Sequence, residues 1–239
     1  MSHPVRILRE DPDYLIVAKP TGIAMHDAEQ GIIPAIKALT GDNQLYLCHR
    51  LDTVTSGLIC VARNASAAAI ISEQFANKQV QKYYLAITDK KPKKKQGTVS
   101  GDMQNRRRGQ HILLKSQSNP AVTQFFSGSI APGLRGIIVR PLTGKTHQIR
   151  VALKSLGAPI LGDTLYGGTT SDRTYLHAWQ LSFWYYDERV TISCPPDEGK
   201  LFCSEAFSQW LSQLGSPENM AWPAYSFPPS RSQTVTNET

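Results

Sequence analysis

His49, Arg50 and Asp52 crowd around Leu51 in the stretch CHRLDTVTSG (48–57), followed at once by small hydroxyl residues and a glycine. A carboxylate held beside a fixed cation in such a loop could act as a nucleophile or a general base. The same residues could equally close a solvated turn with an Arg–Asp ion pair, the commoner use of that pattern. Two basic runs pose a similar choice. KKPKKK (90–95), with Lys93, Lys94 and Lys95 at its end, and the triplet Arg106, Arg107 and Arg108 are either solvated loops or arms that touch phosphates. Six histidines are scattered without metal-ligand spacing, and Cys48, Cys60, Cys194 and Cys203 form no CxxC pair. No metal or cofactor is therefore expected, and the cysteines read as small buried side chains in a reduced, cytoplasmic setting.

The elements that must position these residues follow from the pattern of apolar positions. VRILRE (5–10) and YLIVAKP (14–20) read as strands around the turn DPD, and GLICVA (57–62) as a buried strand. Asn64 can cap a helix on which Ala68, Ile71 and Phe75 share a face. VQKYYLAI (80–87), HILLKS (111–116), AVTQFF (121–126) and GIIVRP (136–141) read as strands. Alternation along 80–87 puts Tyr83 and Tyr84 on opposite faces, so only one can face a cleft. THQIRVALKSLG (146–157) carries Ile149, Leu153 and Leu156 on one helical face and stops at Gly157. YLHAWQLSFWYY (175–186) and RVTISCP (189–195) form a hairpin pair, and SEAFSQWLSQLG (204–215) a closing helix with Ser204 as cap. Strands in succession with few helices between them predict an α+β fold with a large mixed or antiparallel sheet.

A chain of 239 residues allows one large domain or two small ones, and the pattern favours a single domain over 1–215. Residues 216–239, rich in Pro, Ser and Thr, read as a tail with little structure of its own. The formal net charge of +7 favours a polyanionic partner such as nucleic acid. The first residues lack the apolar core of a signal peptide, and no apolar run approaches a membrane span, so no membrane partner is expected.

Five segments in order resemble one family. HRLDTVTSG is similar to the signature loop of the RluA family of RNA pseudouridine synthases. EDPDYLIVAKPTGIAMH (10–26) looks like that family's opening strand pair ending in Lys-Pro-x-Gly. QKYYLAI (81–87) resembles its Lys-x-Tyr-x-Ala motif through Lys82, Tyr84 and Ala86, and TGKTHQIRVAL (143–153) its Thr-Gly-Arg-Thr-His-Gln-Ile-Arg-Val motif. ILGDTLYGG and LHAWQLSF match the segments that usually follow, so the resemblance runs from about residue 5 to 185. Lys145 stands where the family usually has arginine, and Ala152 where a histidine often follows Arg-Val. The small RNA-binding S4 domain of many relatives is not expected here, because the catalytic motif begins almost at Met1.

The resemblance implies a mostly antiparallel sheet bent around a central cleft, with flanking helices. It implies a monomeric enzyme that breaks the N1–C1′ bond of a uridine in ribosomal or transfer RNA, turns the base and rejoins it through C5. Asp52 would attack C1′ or remove the C2′ proton, and the resemblance does not choose between these routes. A carboxylate that must stay ionised in a dry pocket needs a fixed cation, and the match makes that cation Arg150, gripping Asp52 in a bidentate pair. Tyr84 would stack on the uracil and help move the C5 proton, with Ile149 packing beside the base. Arg50 would fill the gap left by the flipped nucleotide. His49, His147 and His177 are expected to be hydrogen-bonding supports, and Lys145 a contact to RNA. Other readings are a non-catalytic RNA-binding protein or RNA chaperone on the same scaffold, and a carboxylate-dependent nucleoside hydrolase, which would not need two basic arms.

Overall fold

A computed structural model describes residues 4–227. Along the chain lie β1 (Arg6–Glu10), β2 (Tyr14–Lys19), α1 (Ile32–Thr40), β3 (Tyr46–Leu47), β4 (Ser56–Ala62), α2 (Ala65–Ala76), β5 (Gln81–Thr88), β6 (Gln96–Gly101), β7 (Met103–Asn105), β8 (His111–Leu113), β9 (Ala121–Ala131), β10 (Leu134–Pro141), α3 (Gln148–Ser155), β11 (Leu176–Tyr185), β12 (Glu188–Ser193) and α4 (Glu205–Leu214). Their order in the main sheet is β1-β2-β4-β11-β5-β10-β9-β6, with β3 added on β4 and β12 on β11. This is the α+β fold with the mostly antiparallel sheet that the sequence predicts.

β2 and β4 are covered on both faces: every one of their residues is buried. β11 joins the two halves. One of its edges pairs with β5 from Leu176 to Ser182. Its other edge is shared, because β4 takes His177 and Ala178 while β12 takes Gln180 to Tyr185. The β4–β11 contact is parallel and only two residues long. It is made possible by Gly57, at φ +111°, where a Cβ would collide with the Ala178 carbonyl. The glycine that closes the TVTSG run is therefore the point where the sheet halves meet, directly behind the 48–55 loop.

Two of the four α-helices begin at the caps the sequence predicts. Asn64 Oδ1 accepts the Ala67 N–H (2.9 Å) to cap α2, and Ser204 Oγ accepts the Phe207 N–H (3.3 Å) to cap α4. α3 ends at Leu156, and Gly157 takes the left-handed conformation that follows. α1 has no counterpart in the sequence reading. Its Pro34 suggests a breaker, but in the first turn a missing N–H costs nothing.

Several expectations are corrected. HILLKS is not a six-residue strand: only His111–Leu113 pair, with β7, in a separate two-stranded ribbon. The short strands β3, β6 and β7 carry too little periodicity to be read. Cys203 is exposed, whereas the other three cysteines are buried. The segment 216–227 has one 3₁₀ turn and no other regular element, yet it lies against the sheet. Trp222 stacks near Tyr83 and Phe126, with ring centroids 5.8 and 4.8 Å away, and Gln124 Nε2 donates to the Pro223 carbonyl (2.6 Å). The packed region thus continues past Gly215, because aromatic side chains spaced among prolines can cover a sheet face without forming an element. The remainder of the expected tail, 228–239, lies outside the described residues.

Candidate active site

Three segments meet at one cleft of about 320 Å³: the 48–55 loop, the face of β5 that carries Lys82 and Tyr84, and the 143–148 turn leading into α3. Each is fixed by hydrogen bonds that leave little freedom. Behind the first, the buried Lys19 Nζ donates to the carbonyls of Pro20 (3.0 Å), Ile23 (2.9 Å) and Thr53 (3.3 Å). Burial lowers its pKa to about 8. The Gly22 N–H also donates to Thr53 O (2.8 Å), and Thr21 Oγ to Val54 O (2.9 Å). The Lys-Pro-x-Gly segment is thus a strap across the 48–55 loop. On the other side of that loop, His49 Nε2 accepts the Cys60 N–H (2.9 Å) and its ring stacks on Phe75 at 4.3 Å. Burial lowers the imidazole pKa to about 3, so His49 is a neutral brace.

The 143–148 turn is pinned by Gln148. Its Oε1 accepts from Thr143 Oγ (2.6 Å) and the Lys145 N–H (3.0 Å), while its Nε2 donates to Val122 O and Thr123 Oγ on β9 (both 3.0 Å). α3 then starts at Gln148 after His147, which holds φ +55°. That start points both Ile149 and Arg150 into the cleft.

Arg150 is buried and its partners differ from the expected ones. The bidentate grip is on Asp163, from Nε to Oδ2 and from Nη2 to Oδ1, both 2.8 Å. Asp52 receives a single contact, Nη1 to Oδ2 at 3.2 Å. The Nε–Nη2 edge of the fork is taken by the carboxylate that lies edge-on to it, so Asp52 is met by Nη1 alone. Asp163 therefore fixes Arg150, and Arg150 presents one charged hydrogen bond to Asp52. The two carboxylates push the guanidinium pKa up against the opposing effect of burial.

Tyr84 faces the same space from β5 and is buried; burial, then the Asp52 charge, push its phenol pKa up, so the hydroxyl keeps its proton. Tyr83 points the other way, towards Trp222. His147 Nε2 stands 3.9 Å from Asp52 Oδ2, and its Nδ1 shares a 2.8 Å hydrogen bond with the Tyr166 hydroxyl. Tyr166 also accepts the His111 N–H (3.0 Å), so the β7–β8 ribbon is tied to the edge of the site. Arg106, Arg107 and Arg108, at the tip of that ribbon, are exposed, as are Lys93, Lys94 and Lys95. Arg50 is exposed at the cleft mouth, and among the described residues its guanidinium has no hydrogen-bond or ion-pair partner. Lys145 also lines the cleft.

His177 lies outside the cleft, in a buried set behind the loop. Its Nε2–H donates to Cys194 O (2.7 Å) and its Nδ1 accepts from Ser56 Oγ (2.8 Å). Among the described residues no cluster of His, Cys, Asp or Glu could hold a metal ion, and no helix is long and apolar enough to cross a membrane. Asp163, Tyr166, His111, Gln148 and Phe75 complete the surroundings of the site and were not singled out by the sequence. For Asp163 and Tyr166 the signal was the segment ILGDTLYGG.

Sequence and fold both match a known family. Residues 13–155 match the model of the RNA pseudouridylate synthases, a span that holds Asp52, Tyr84 and Arg150. The chain belongs to the RNA pseudouridylate synthase family. It is 45% identical over 202 residues to an "Uncharacterized RNA pseudouridine synthase" of Haemophilus influenzae, covering 83% of this chain and 90% of that protein. It is 34% identical over 217 residues to the "Ribosomal large subunit pseudouridine synthase C" of Escherichia coli, covering 82% and 68%. The solved structure "Human RNA Pseudouridylate Synthase Domain Containing 1" superposes with a TM-score of 0.70 at 26% identity, covering 80% of this chain and 83% of that one. As an RNA pseudouridine synthase of the RluA type, the protein is an isomerase that acts on uridine within RNA.

Proposed function

We propose that Asp52 is the catalytic carboxylate with which this synthase converts a specific uridine of structured RNA, ribosomal or transfer, into pseudouridine. One observation carries the assignment: Asp52 is the sole acidic residue among the described residues that line the cleft, on a wall that also carries Arg50, Lys82, Lys145 and Arg150. Such a wall suits a polyanion and leaves one group able to act on the sugar. Asp52 attacks C1′ or takes the C2′ proton. The N1–C1′ bond breaks with its electron pair on N1, the freed uracil turns, and C5 bonds to C1′ as the Asp52–C1′ bond breaks or, on the other route, as the C2′ proton is returned. C5 then gives up its proton and N1 gains one, so product and substrate are isomers. Arg150 keeps the carboxylate charged and aimed. Tyr84 and Ile149 pack against the base, with the neutral phenol close enough to take part in moving the C5 proton.

A uridine in a helix or loop hides its C1′, so the nucleotide must first be flipped out, at a cost of a few kcal/mol. Arg50, long, planar and unpartnered among the described residues, fills the vacated stack, and Lys145 contacts the RNA beside it. The exposed runs Lys93–Lys95 and Arg106–Arg108 contact the RNA backbone. A ribosomal target is supported by the name of the Escherichia coli relative. The same reading makes the enzyme a cytoplasmic monomer. Pseudouridine mapping of total RNA with and without the protein tests it. A uridine modified only when the parent is present, and left unmodified with Asp52→Asn, is the expected result. Normal tritium release from C5-labelled uridine by Asp52→Asn would refute the assignment.

A further inference from the structure

We infer that Lys82 is a phosphate-binding residue of the cleft, which pairs with a phosphodiester flanking the target nucleotide. The inference rests on the reading of the cleft as the uridine site. Lys82 lies on β5 two residues before Tyr84, so the two side chains share a face, roughly 6.6 Å apart along the strand. Tyr84 stands at the Asp52 end of the cleft, and Lys82 therefore lies one strand repeat away, near where the backbone of a nucleotide with its sugar at Asp52 would run.

The surroundings of the ammonium are unusual for a lysine. It is half-buried, with its Nζ 5.7 Å from the centre of the Phe75 ring and beside Gly144. The other titratable and charged groups lining the cleft are His49, Arg50 and Asp52 on the 48–55 loop, Tyr84 on its own strand, and Lys145, His147 and Arg150 on the 143–148 turn and α3. Among the described residues no carboxylate lies within ion-pair distance of it, and its Nζ makes no hydrogen bond. Lys19 offers a contrast, because its Nζ is used up by three backbone carbonyls. Burial alone lowers the Lys82 pKa to about 8. A cation stripped of part of its water and given no partner is costly, and the fold tolerates it where a ligand supplies the missing charge. Uracil is neutral and cannot do so; a phosphodiester can.

Binding a phosphate there must raise the lysine pKa, so RNA binding near pH 8 should draw a proton from solution. Titration calorimetry of an RNA hairpin with an all-uridine loop, at pH 8 in two buffers of different ionisation enthalpy, reads this directly. The parent should take up about half a proton, and Lys82→Arg, which cannot lose its charge, should take up none. Lys82→Met should also take up none and lower the salt slope of log affinity by about 0.7–0.9, the value of one phosphate contact. Lys82→Arg should keep the parent slope, which separates loss of charge from loss of fold. Equal proton uptake in parent and Lys82→Arg, or a parent salt slope in Lys82→Met, overturns the inference. The test needs binding only, so it stands apart from the fate of Asp52, which turnover decides.

Discussion

Two buried charge clusters flank the 48–55 loop, and they differ in what they leave undone. Behind the loop, Arg173 pairs with Glu198 (2.9 Å) and donates to Ser56 Oγ (2.7 Å), Ser56 bonds His177, and Glu198 accepts the Thr21 N–H (2.7 Å). The free space there is about 10 Å³, no more than a water molecule needs. In front of the loop, Asp163, Arg150 and Asp52 form a comparable chain of charges, but it ends at a cleft of about 320 Å³ and at groups with unmet bonding capacity. Burial and ion pairing are common to both. Only the front cluster has an open end at which a substrate could be met.

That contrast is most sharply tested by paired substitutions. Asp52→Asn should cost activity by about 10⁴-fold, with the unfolding midpoint and RNA affinity almost unchanged. Glu198→Ala should instead cost about 3–5 kcal/mol of stability, because Arg173 is left buried without its partner. Denaturant melts and single-turnover assays on both variants check the pair; an inactive but fully stable Glu198→Ala would erase the distinction.

The back cluster should also set the acid limit of the fold. Burial lowers the His177 pKa to about 4, below the ordinary value of 6.5. Above that ordinary value both states are neutral there and stability is complete. As pH falls towards 4 the unfolded chain takes a proton that the folded one refuses, so stability is lost, by about 3 kcal/mol in full. His49, lowered to about 3, acts in the same direction. Urea midpoints for His177→Gln should depend less on pH between 7 and 4.5 than those of the parent, and parallel curves would count against the assignment.

Smaller effects probe the front cluster. Asp163→Asn weakens the grip on Arg150 without touching Asp52, and should lower kcat about 10²-fold by misaligning the guanidinium, with KM little changed. A change in KM alone would mean that Asp163 serves binding. Arg50→Ala should hurt a structured stem-loop substrate more than an unstacked one, where extrusion costs little. Equal losses on both would mean that Arg50 does not drive flipping.

Much of the site is legible in the chain because it is locally encoded. Asp52 sits in a loop of distinctive composition, Tyr84 is separated from Tyr83 by strand alternation, and Ile149 and Arg150 open a helix with a readable stop at Gly157. The bidentate partner of Arg150 was misassigned, since a guanidinium fork goes to whichever carboxylate lies edge-on to it. Asp163 reaches that position from a 3₁₀ turn, where no periodicity marks its side chain as facing inwards. The docked segment 216–227 was missed for a related reason. Its contacts are single aromatic rings on a distant sheet face, and composition registers only the prolines between them.

By itself the sequence determined the fold class and the order of most strands and helices along the chain, because these depend on side-chain type and short-range spacing, and its resemblance to a family named the residues that meet at the cleft. Tertiary structure decided the partners. It gave Asp163 rather than Asp52 the bidentate hold on Arg150, gave His49 its partners Cys60 and Phe75, and closed Lys19 with three carbonyls while leaving Lys82 open. Hydrogen bonds and ion pairs depend on distance and angle between groups far apart in the chain, and only the folded backbone fixes those.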